Sequence, residues 1–359
     1  MARMARKTSV WALLPALALA ACGSSSAAPT PPAAASSSTA PKPAASGPGA
    51  SAATKPSASA KALAPVKSAY VAIGAHTLPI WLAEDKGLFK QQGLNVQVTY
   101  VQGSVTAIPA MSSGELQIIE ATPAASIQAQ LKGQDTVALA THIPYADYRL
   151  MAVPEVKTVN DLKGKTVGQT KAGTVDDVVI KYVLTKLGLT PGKDVSMAYL
   201  GTQPAILAAL SKKLIQGTAL SPPNDVAAEK AGAHEVVNIL KEHFAYPVDG
   251  IIATRKFVRE HPDETVAYLK AYVQAIRYIK ANPEQTKQEM ALRTKIDDKQ
   301  VLDEGYQVMV DALADNPAPL PNDVATVLGL FGGQGKNPAD FIDPAPLAKA
   351  MQELGPAKS

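Results

Sequence analysis

The sequence predicts an α/β protein: two doubly wound lobes, a ligand cleft between them, and a C-terminal helical tail. Three observations predict it. From Ser68 to Ala253, short β-branched runs alternate with helical stretches, the pattern of sheets covered by helices on both faces. After Ala253 the strand signals stop and only helical stretches follow. Roughly 290 of the 359 residues come after an Ala/Ser/Pro-rich start, a length suited to two domains.

The predicted strands, in order, are Ala69–Gly74, Asn95–Val101, Leu116–Glu120, Thr136–Thr141, Arg149–Val153, Thr166–Gln169, Val195–Leu200, Gln216–Leu220, Glu235–Ile239 and Gly250–Ala253. Each is short, rich in β-branched residues and bounded by Gly, Pro or Lys. Helical stretches such as Pro79–Gln92, Pro123–Leu131, Val175–Leu187 and Pro204–Lys212 lie between them, so parallel sheets are expected. In the tail, Pro262–Ala281, Glu284–Arg293, Asp298–Ala314, Asn322–Leu330 and Ala345–Leu354 read as helices. Leu269, Tyr272, Val273, Ile276 and Ile279 share one face of the first.

A tail of helices alone needs a sheet to cover, so it is expected to return to the first lobe. That assigns 66–147 with 250–359 to lobe I and 148–249 to lobe II. The crossovers fall near Pro144–Leu150 and Tyr246–Ile251.

Residues 1–21 read as a secretory signal peptide. Arg3, Arg6 and Lys7 precede an apolar run from Val10 to Ala21, too short for the ~20 residues of a spanning helix. Leu19-Ala20-Ala21-Cys22 resembles a bacterial lipobox, whose Cys is acylated on sulfur, and Cys22 is the one cysteine in the chain. Two or three acyl chains anchor stably where one is marginal. The mature domain therefore has no Cys for a disulfide, a thiolate metal cluster or a nucleophile. Residues 22–65, mostly Ala, Ser and Pro, read as a disordered tether spanning on the order of 35–40 Å.

The formal charge of +4 comes from this start. Six of the 35 Lys and Arg, and none of the 31 Asp and Glu, lie in residues 1–65, which leaves 29 against 31 in the rest. A folded part at −2 offers no footprint for nucleic acid.

In doubly wound sheets, ligands sit beyond the carboxyl ends of strands, where helices begin. Those junctions read Gly74-Ala75-His76-Thr77-Leu78-Pro79, Gln102-Gly103-Ser104-Val105, Ala121-Thr122-Pro123, Thr170-Lys171-Ala172-Gly173-Thr174 and Ser221-Pro222-Pro223. Each brings a hydroxyl near a helix start, so free N–H groups and helix dipoles would converge on one crevice. Each hydroxyl alone also has a plainer role: Thr174 to Asp177 and Thr158 to Asp161 both read as capping boxes. His76 can donate to an anion or a ring nitrogen, or be an ordinary surface His. Lys171 can neutralise an anion or stand solvated. Tyr145 and Tyr246, in the crossovers, can stack on a planar ligand or pack across the hinge. Trp81 reads as core.

Catalytic constellations are absent from the sequence: no H-E-x-x-H, G-x-S-x-G, G-x-x-x-x-G-K-[ST] or G-x-G-x-x-G. His76, His142, His234, His243 and His261 show no metal-ligand spacing, and the acidic residues read as surface charge on helices. No metal, cofactor or enzymatic activity is expected.

Leu78-Pro-Ile-Trp-Leu-Ala-Glu-Asp-Lys-Gly-Leu-Phe-Lys-Gln-Gln-Gly-Leu-Asn-Val96 resembles the opening of nitrate/sulfonate/taurine-type solute-binding proteins. Asp161-Leu-Lys-Gly-Lys-Thr-Val167 with Ala172-Gly173-Thr174 resembles the entry to that family's second domain. Leu220-Ser-Pro-Pro-Asn-Asp-Val-Ala-Ala-Glu-Lys-Ala-Gly232 resembles its later cleft loop. The likeness runs from about Val66 to Val258. It implies a type II periplasmic-binding fold and a monomer that delivers a small molecule to the permease and ATPase of an ABC importer. The ligand would be a sulfonate-, nitrate- or taurine-like oxyanion or a small heterocycle. Carried over by position, the family's ligand loops fall on His76, Thr77, Gly103, Ser104, Thr122, Gly173, Thr174 and Ser221. Pyrimidine synthases of thiamine biosynthesis look similar over the first lobe, but they carry a cysteine-rich segment and no leader. A sensory lipoprotein feeding a receptor would need the same cleft.

Overall fold

The computed structural model describes residues 62–242 and 244–356; the expected leader, Cys22, nearly all of the tether and His243 lie outside them. β1 (Ala64–Tyr70) leads through a tight turn at Ala75–Thr77 into α1 (Leu78–Asp85) and α2 (Leu88–Gln91). β2 (Leu94–Tyr100), α3 (Ser104–Ser112), β3 (Ile118–Ala121), α4 (Pro123–Leu131) and β4 (Thr136–Ile143) follow. A second run holds β5 (Arg149–Ala152), β6 (Thr166–Gln169), α5 (Val175–Lys186), β7 (Ser196–Tyr199), α6 (Gln203–Ser211), β8 (Gly217–Leu220), α7 (Asn224–Lys230) and β9 (His234–Asn238). β10 (Asp249–Thr254) returns to the first run. The tail is α8 (Arg255–Glu260), α9 (Pro262–Ala281), α10 (Pro283–Thr294), α11 (Lys299–Ala312), α12 (Pro321–Leu330) and α13 (Ala345–Leu354).

Two five-stranded sheets result, in the orders β2-β1-β3-β10-β4 and β7-β6-β8-β5-β9. Both are mixed, not parallel as expected. β10 runs antiparallel to β3 and β4, and β5 antiparallel to β8 and β9. The physical reason is the connection. β2, β3, β4, β7, β8 and β9 each follow an α-helix, which reverses the chain, whereas β5 and β10 are delivered directly by a crossover.

The first strand also lies earlier than expected. It pairs with β2 from Ala64 opposite Leu94 to Tyr70 opposite Tyr100. Pro65 gave that stretch the look of tether. β3 pairs only with Ser68–Tyr70, so Pro65 lies where β1 is paired on one side and its missing N–H is tolerated. The helix expected over Pro79–Gln92 is broken by Gly87, which takes φ 64° between α1 and α2.

The apolar face of α9 is buried as its spacing requires: Leu269, Tyr272, Val273, Ile276 and Ile279 are all in the core, against α1, α2 and β2. Trp81 is core too, edge-on to Tyr70 at 5.7 Å between centroids. The tail does not keep to the first sheet, however. α11 packs on α7, and a Cβ placed on Gly305 would stand 2.7 Å from the Cβ of Pro223.

Candidate functional site

Two crossovers, 144–148 and 239–248, join the sheets and lie side by side. The Ala146 N–H donates to Phe244 O at 3.2 Å and the Val248 N–H to Ile143 O at 2.8 Å. Tyr182, Phe244 and Tyr246 stack against this pair, with Tyr182 and Phe244 3.8 Å apart.

Above the crossovers is a cavity of about 80 Å³. It is lined by Val71, Ala72, Ile73 and His76 after β1, by Tyr100 and Gln102–Ser104 around the end of β2, and by Thr122 after β3. The second sheet contributes Thr170, Lys171 and Thr174–Asp176 after β6, and Gly201–Pro204 after β7. Tyr148, Val248 and Asp249 complete the wall.

His76, Gly103, Ser104, Thr122, Thr174 and Lys171, singled out from sequence, therefore share one cavity. Thr77, Gly173, Ser221, Tyr145 and Tyr246 do not line it. Thr77 donates its hydroxyl to Ala72 O at 3.1 Å and so holds the His76 loop from behind. The Gly173 N–H donates to Asp177 Oδ2 at 2.8 Å. Ser221 is buried beneath Gln203, donating to its Oε1 at 3.1 Å. Tyr145 is 39% exposed, and Tyr246 is buried in the hinge stack.

The hydroxyls behave differently from caps. Thr122 precedes α4 without capping it and donates to Pro247 O at 2.7 Å, tying the first sheet to a crossover. The capping box expected at Thr174 is not formed; the Thr174 hydroxyl faces Lys171 O at 2.5 Å and Asp176 Oδ1 at 2.7 Å. The box at Thr158 and Asp161 is present.

The larger correction concerns acid groups. Glu120, Asp147, Asp176, Asp177 and Asp249 are all buried at or behind the cavity wall rather than spread over helix surfaces. Asp176 accepts from the Thr170 N–H at 2.6 Å and from the Thr170 and Thr174 hydroxyls, each at 2.7 Å. Asp177 is paired with Lys181 at 2.7 Å. Asp249 Oδ1 accepts the Gly250 N–H at 2.9 Å. Burial pushes Asp249 up to about 7, opposed by His76 and reinforced by Asp147. Glu120 is driven well above the carboxylate range by burial and by Asp249. His76 Nδ1 lies 3.8 Å from Asp147 Oδ2, an ion-pair distance too long for a hydrogen bond. Burial works against a charged His76 ring, but Asp147 and Asp249 outweigh it and hold its pKa above the ordinary value.

Glu120, His142 and Asp249 bring ligand-type atoms within 4.8 Å of one another, a grouping that chain spacing does not reveal. The imidazole has no lone pair to give. Its Nε2–H donates to His76 O at 2.8 Å, so Nδ1 is the acceptor, and the Tyr272 hydroxyl occupies it. Burial lowers the His142 pKa to about 3, which keeps the ring neutral. The trio therefore offers a metal no free imidazole nitrogen.

Tyr148, Asp176 and Asp249 were missed for a definable reason. Sequence reading followed the carboxyl ends of parallel strands, whereas Tyr148 and Asp249 stand at the amino ends of β5 and β10. Those two strands run backwards, so their starts face the cavity. Asp176 was read as part of a helix start.

No described helix is long and apolar enough to cross a membrane. Residues 75–286, more than half of the chain, match the family described as NMT1/THI5 like. YtlA of Bacillus subtilis, named as a candidate binding protein, is 28% identical over 227 residues, covering 60% of this chain. The match spans 66% of that protein, just under two thirds of its length. A protein of Bordetella bronchiseptica RB50 superposes with a TM-score of 0.71 at 23% identity, over 81% of this chain and 98% of that one. The periplasmic nitrate-binding protein NrtA of Synechocystis PCC 6803 gives 0.68 at 15% identity, over 81% and 89%. These solved structures share the two-lobed periplasmic-binding fold, and at such identity the likeness is one of fold. The sequence motifs, the paired mixed sheets and the extent of the family match agree that this chain belongs to the NMT1/THI5-like family.

Proposed function

We propose that the chain is an extracytoplasmic solute-binding lipoprotein of an ABC importer and not an enzyme. It would be held to the membrane through Cys22 and hand its ligand to a permease and its ATPase. The observation that carries this reading is a cavity walled by residues of both sheets, above two crossovers hydrogen-bonded to each other. Such an arrangement lets the walls close on a ligand, because only the crossover backbone has to bend. The moving bodies on this reading are 66–147 with 250–359, and 148–249, the division along which the strands sort into two sheets. His76, Gly103, Ser104, Thr122 and Thr174 would contact the ligand, with Thr77, Gly173 and Ser221 supporting their loops. The names of YtlA and NrtA, both binding proteins, point the same way.

Native mass spectrometry of the purified protein is expected to find one small molecule retained per chain, and deletion in the host is expected to abolish its uptake. An empty protein together with unchanged uptake would refute the assignment; intact uptake with a lost transcriptional response would mark a sensor instead. A fatty-acid probe should label the wild type and not Cys22→Ser, and label persisting on the variant would refute the anchor.

A further inference from the structure

We infer that the cavity is built for a small organic cation, an ammonium or amidinium group whose charge is met by Asp249. This rests on the solute-binding reading and specifies its ligand. Three features of the wall lead to it.

The first is the imbalance of charge. Among the lining residues the carboxylates are Asp176 and Asp249, and the groups able to carry positive charge are His76 and Lys171. Lys171 is exposed, and its Nζ reaches across the rim to Thr106 Oγ1 at 3.2 Å. His76 is already set against Asp147. An oxyanion placed here would meet no buried Lys or Arg and would be brought against Asp249, with Asp147 buried behind His76.

The second is unspent hydrogen-bonding capacity. Asp176 accepts from the Thr170 N–H and the Thr170 hydroxyl and lies 2.7 Å from the Thr174 hydroxyl, so its charge is directed at the loop it holds. Both Asp147 oxygens and His76 Nδ1 lack a hydrogen-bond partner among the described residues, although the two side chains are 2% and 4% exposed. His76 lines the cavity directly, and Asp249 beside it has one oxygen on its own neighbour's N–H. A donor-rich cation would bring N–H groups to Asp249, the carboxylate of this corner that lines the cavity. The third feature is Tyr148, a buried aromatic residue of the lining within the field of Asp176, Asp147 and Asp249, the residue type that suits a cation. The cavity has room for a group of a few heavy atoms; one water needs roughly 10–15 Å³.

The test uses the full chain and three probe sets of similar size: n-butylammonium and acetamidinium, the neutral butyramide, and n-butanesulfonate with nitrate. Thermal shift and calorimetry should show binding by the cations alone. Asp249→Asn should weaken n-butylammonium by about tenfold or more, the loss of one charge-assisted bond. Asp323→Asn, a buried carboxylate of α12 outside the cavity, should leave it unchanged. Should Asp249→Asn fail to fold, the wild type still decides. Asp249 is faced by Glu120, His142, His76, Asp147, Tyr148 and Tyr272; of these His76 and Glu120 are also raised, and loss of a proton from either acts in the same direction as loss from Asp249. Cation affinity should therefore increase from about pH 6 to about pH 8, and a decrease would overturn the inference. Binding of sulfonate or nitrate with the cations silent would overturn it and leave the solute-binding reading standing. Silence from every probe, with nothing retained in native mass spectrometry, would overturn both.

Discussion

Asp249 keeps its proton up to about neutral pH, well after the unfolded chain has released it, since an exposed Asp titrates near ~3.9 and burial lifts this one to about 7. A carboxyl whose folded pKa is raised binds more protons folded than unfolded between those values, so its contribution to stability is lost as pH rises through the folded pKa. Glu120 and His76, both raised, act with the same sign. His142 acts oppositely. Lowered to about 3 from 6.5, it costs stability as pH falls between those values and is neutral above them. Above about pH 6.5 only the first sign remains in this cluster. The ligand-free protein is expected to lose melting temperature from about pH 6.5 to about pH 8, with Asp249→Asn flattening the slope, as calorimetric scans would show. A steeper slope in the variant would contradict the assignment. Much of this cluster was illegible in sequence. His76 stood out in a junction loop, but Glu120 is one polar letter in an apolar strand, and nothing local says that Asp147 and Asp249 face the same ring.

At the scale of elements, β10 is the most constrained strand. It lies between β3 and β4 with register shifts against β4 at Asp249/Gly250 and Ile251/Ile252. A Cβ on Gly250 would stand 2.0 Å from the Ala140 carbonyl oxygen and 3.0 Å from Pro123 Cγ. Gly250→Ala must therefore push two strands apart, and a loss of roughly 3 kcal/mol or more is expected in urea unfolding. A loss below about 1 kcal/mol would mean that the strands separate easily. Alternation of β-branched runs with helix signals made the strands after the first readable, because turn residues flank them, whereas Pro65 displaced the first by about five residues. Direction was not readable. A strand entering from a helix and one entering from a crossover look alike in sequence, and that difference is what brings Tyr148 and Asp249 to the site.

Across the whole molecule the two walls touch. Gln102 Nε2 donates to Gly201 O at 2.8 Å, and the Ala75 N–H donates to Pro222 O at 3.3 Å. Gly103 also faces Thr174, whose Cγ2 would be 3.6 Å from an added Cβ. These contacts describe a closed arrangement. Gln102→Ala removes one neutral bond across the opening, worth about 0.5–1.5 kcal/mol, and should speed ligand dissociation several-fold with little change in association. Stopped-flow measurement separates the two rates, and a change confined to association would argue that Gln102 does not hold the walls together. The existence of a two-walled cleft was legible, since five junctions of one composition recur along the chain. The seating of α11 on α7 was not, because Gly305 meets Pro223 only through the tertiary fold.

The order of strands in the first sheet bears on how the polypeptide reaches this state. β3 and β4 do not pair with each other; β10 bridges them, and it comes more than a hundred residues after β4 begins. The second sheet has all its strands between Arg149 and Asn238, so its longest pairing, Arg149 with Asn238, closes a somewhat shorter loop than Thr136 with Thr254 in the first. The inserted sheet should assemble first, and the segment made earliest must wait for chain made later. Pulsed hydrogen exchange during refolding is expected to protect amides of β6 and β8 before those of β3 and β4. Until β10 arrives, Ile118–Ala121 and Thr136–Ile143 each keep an apolar edge without its partner, the kind of edge along which unfinished chains associate.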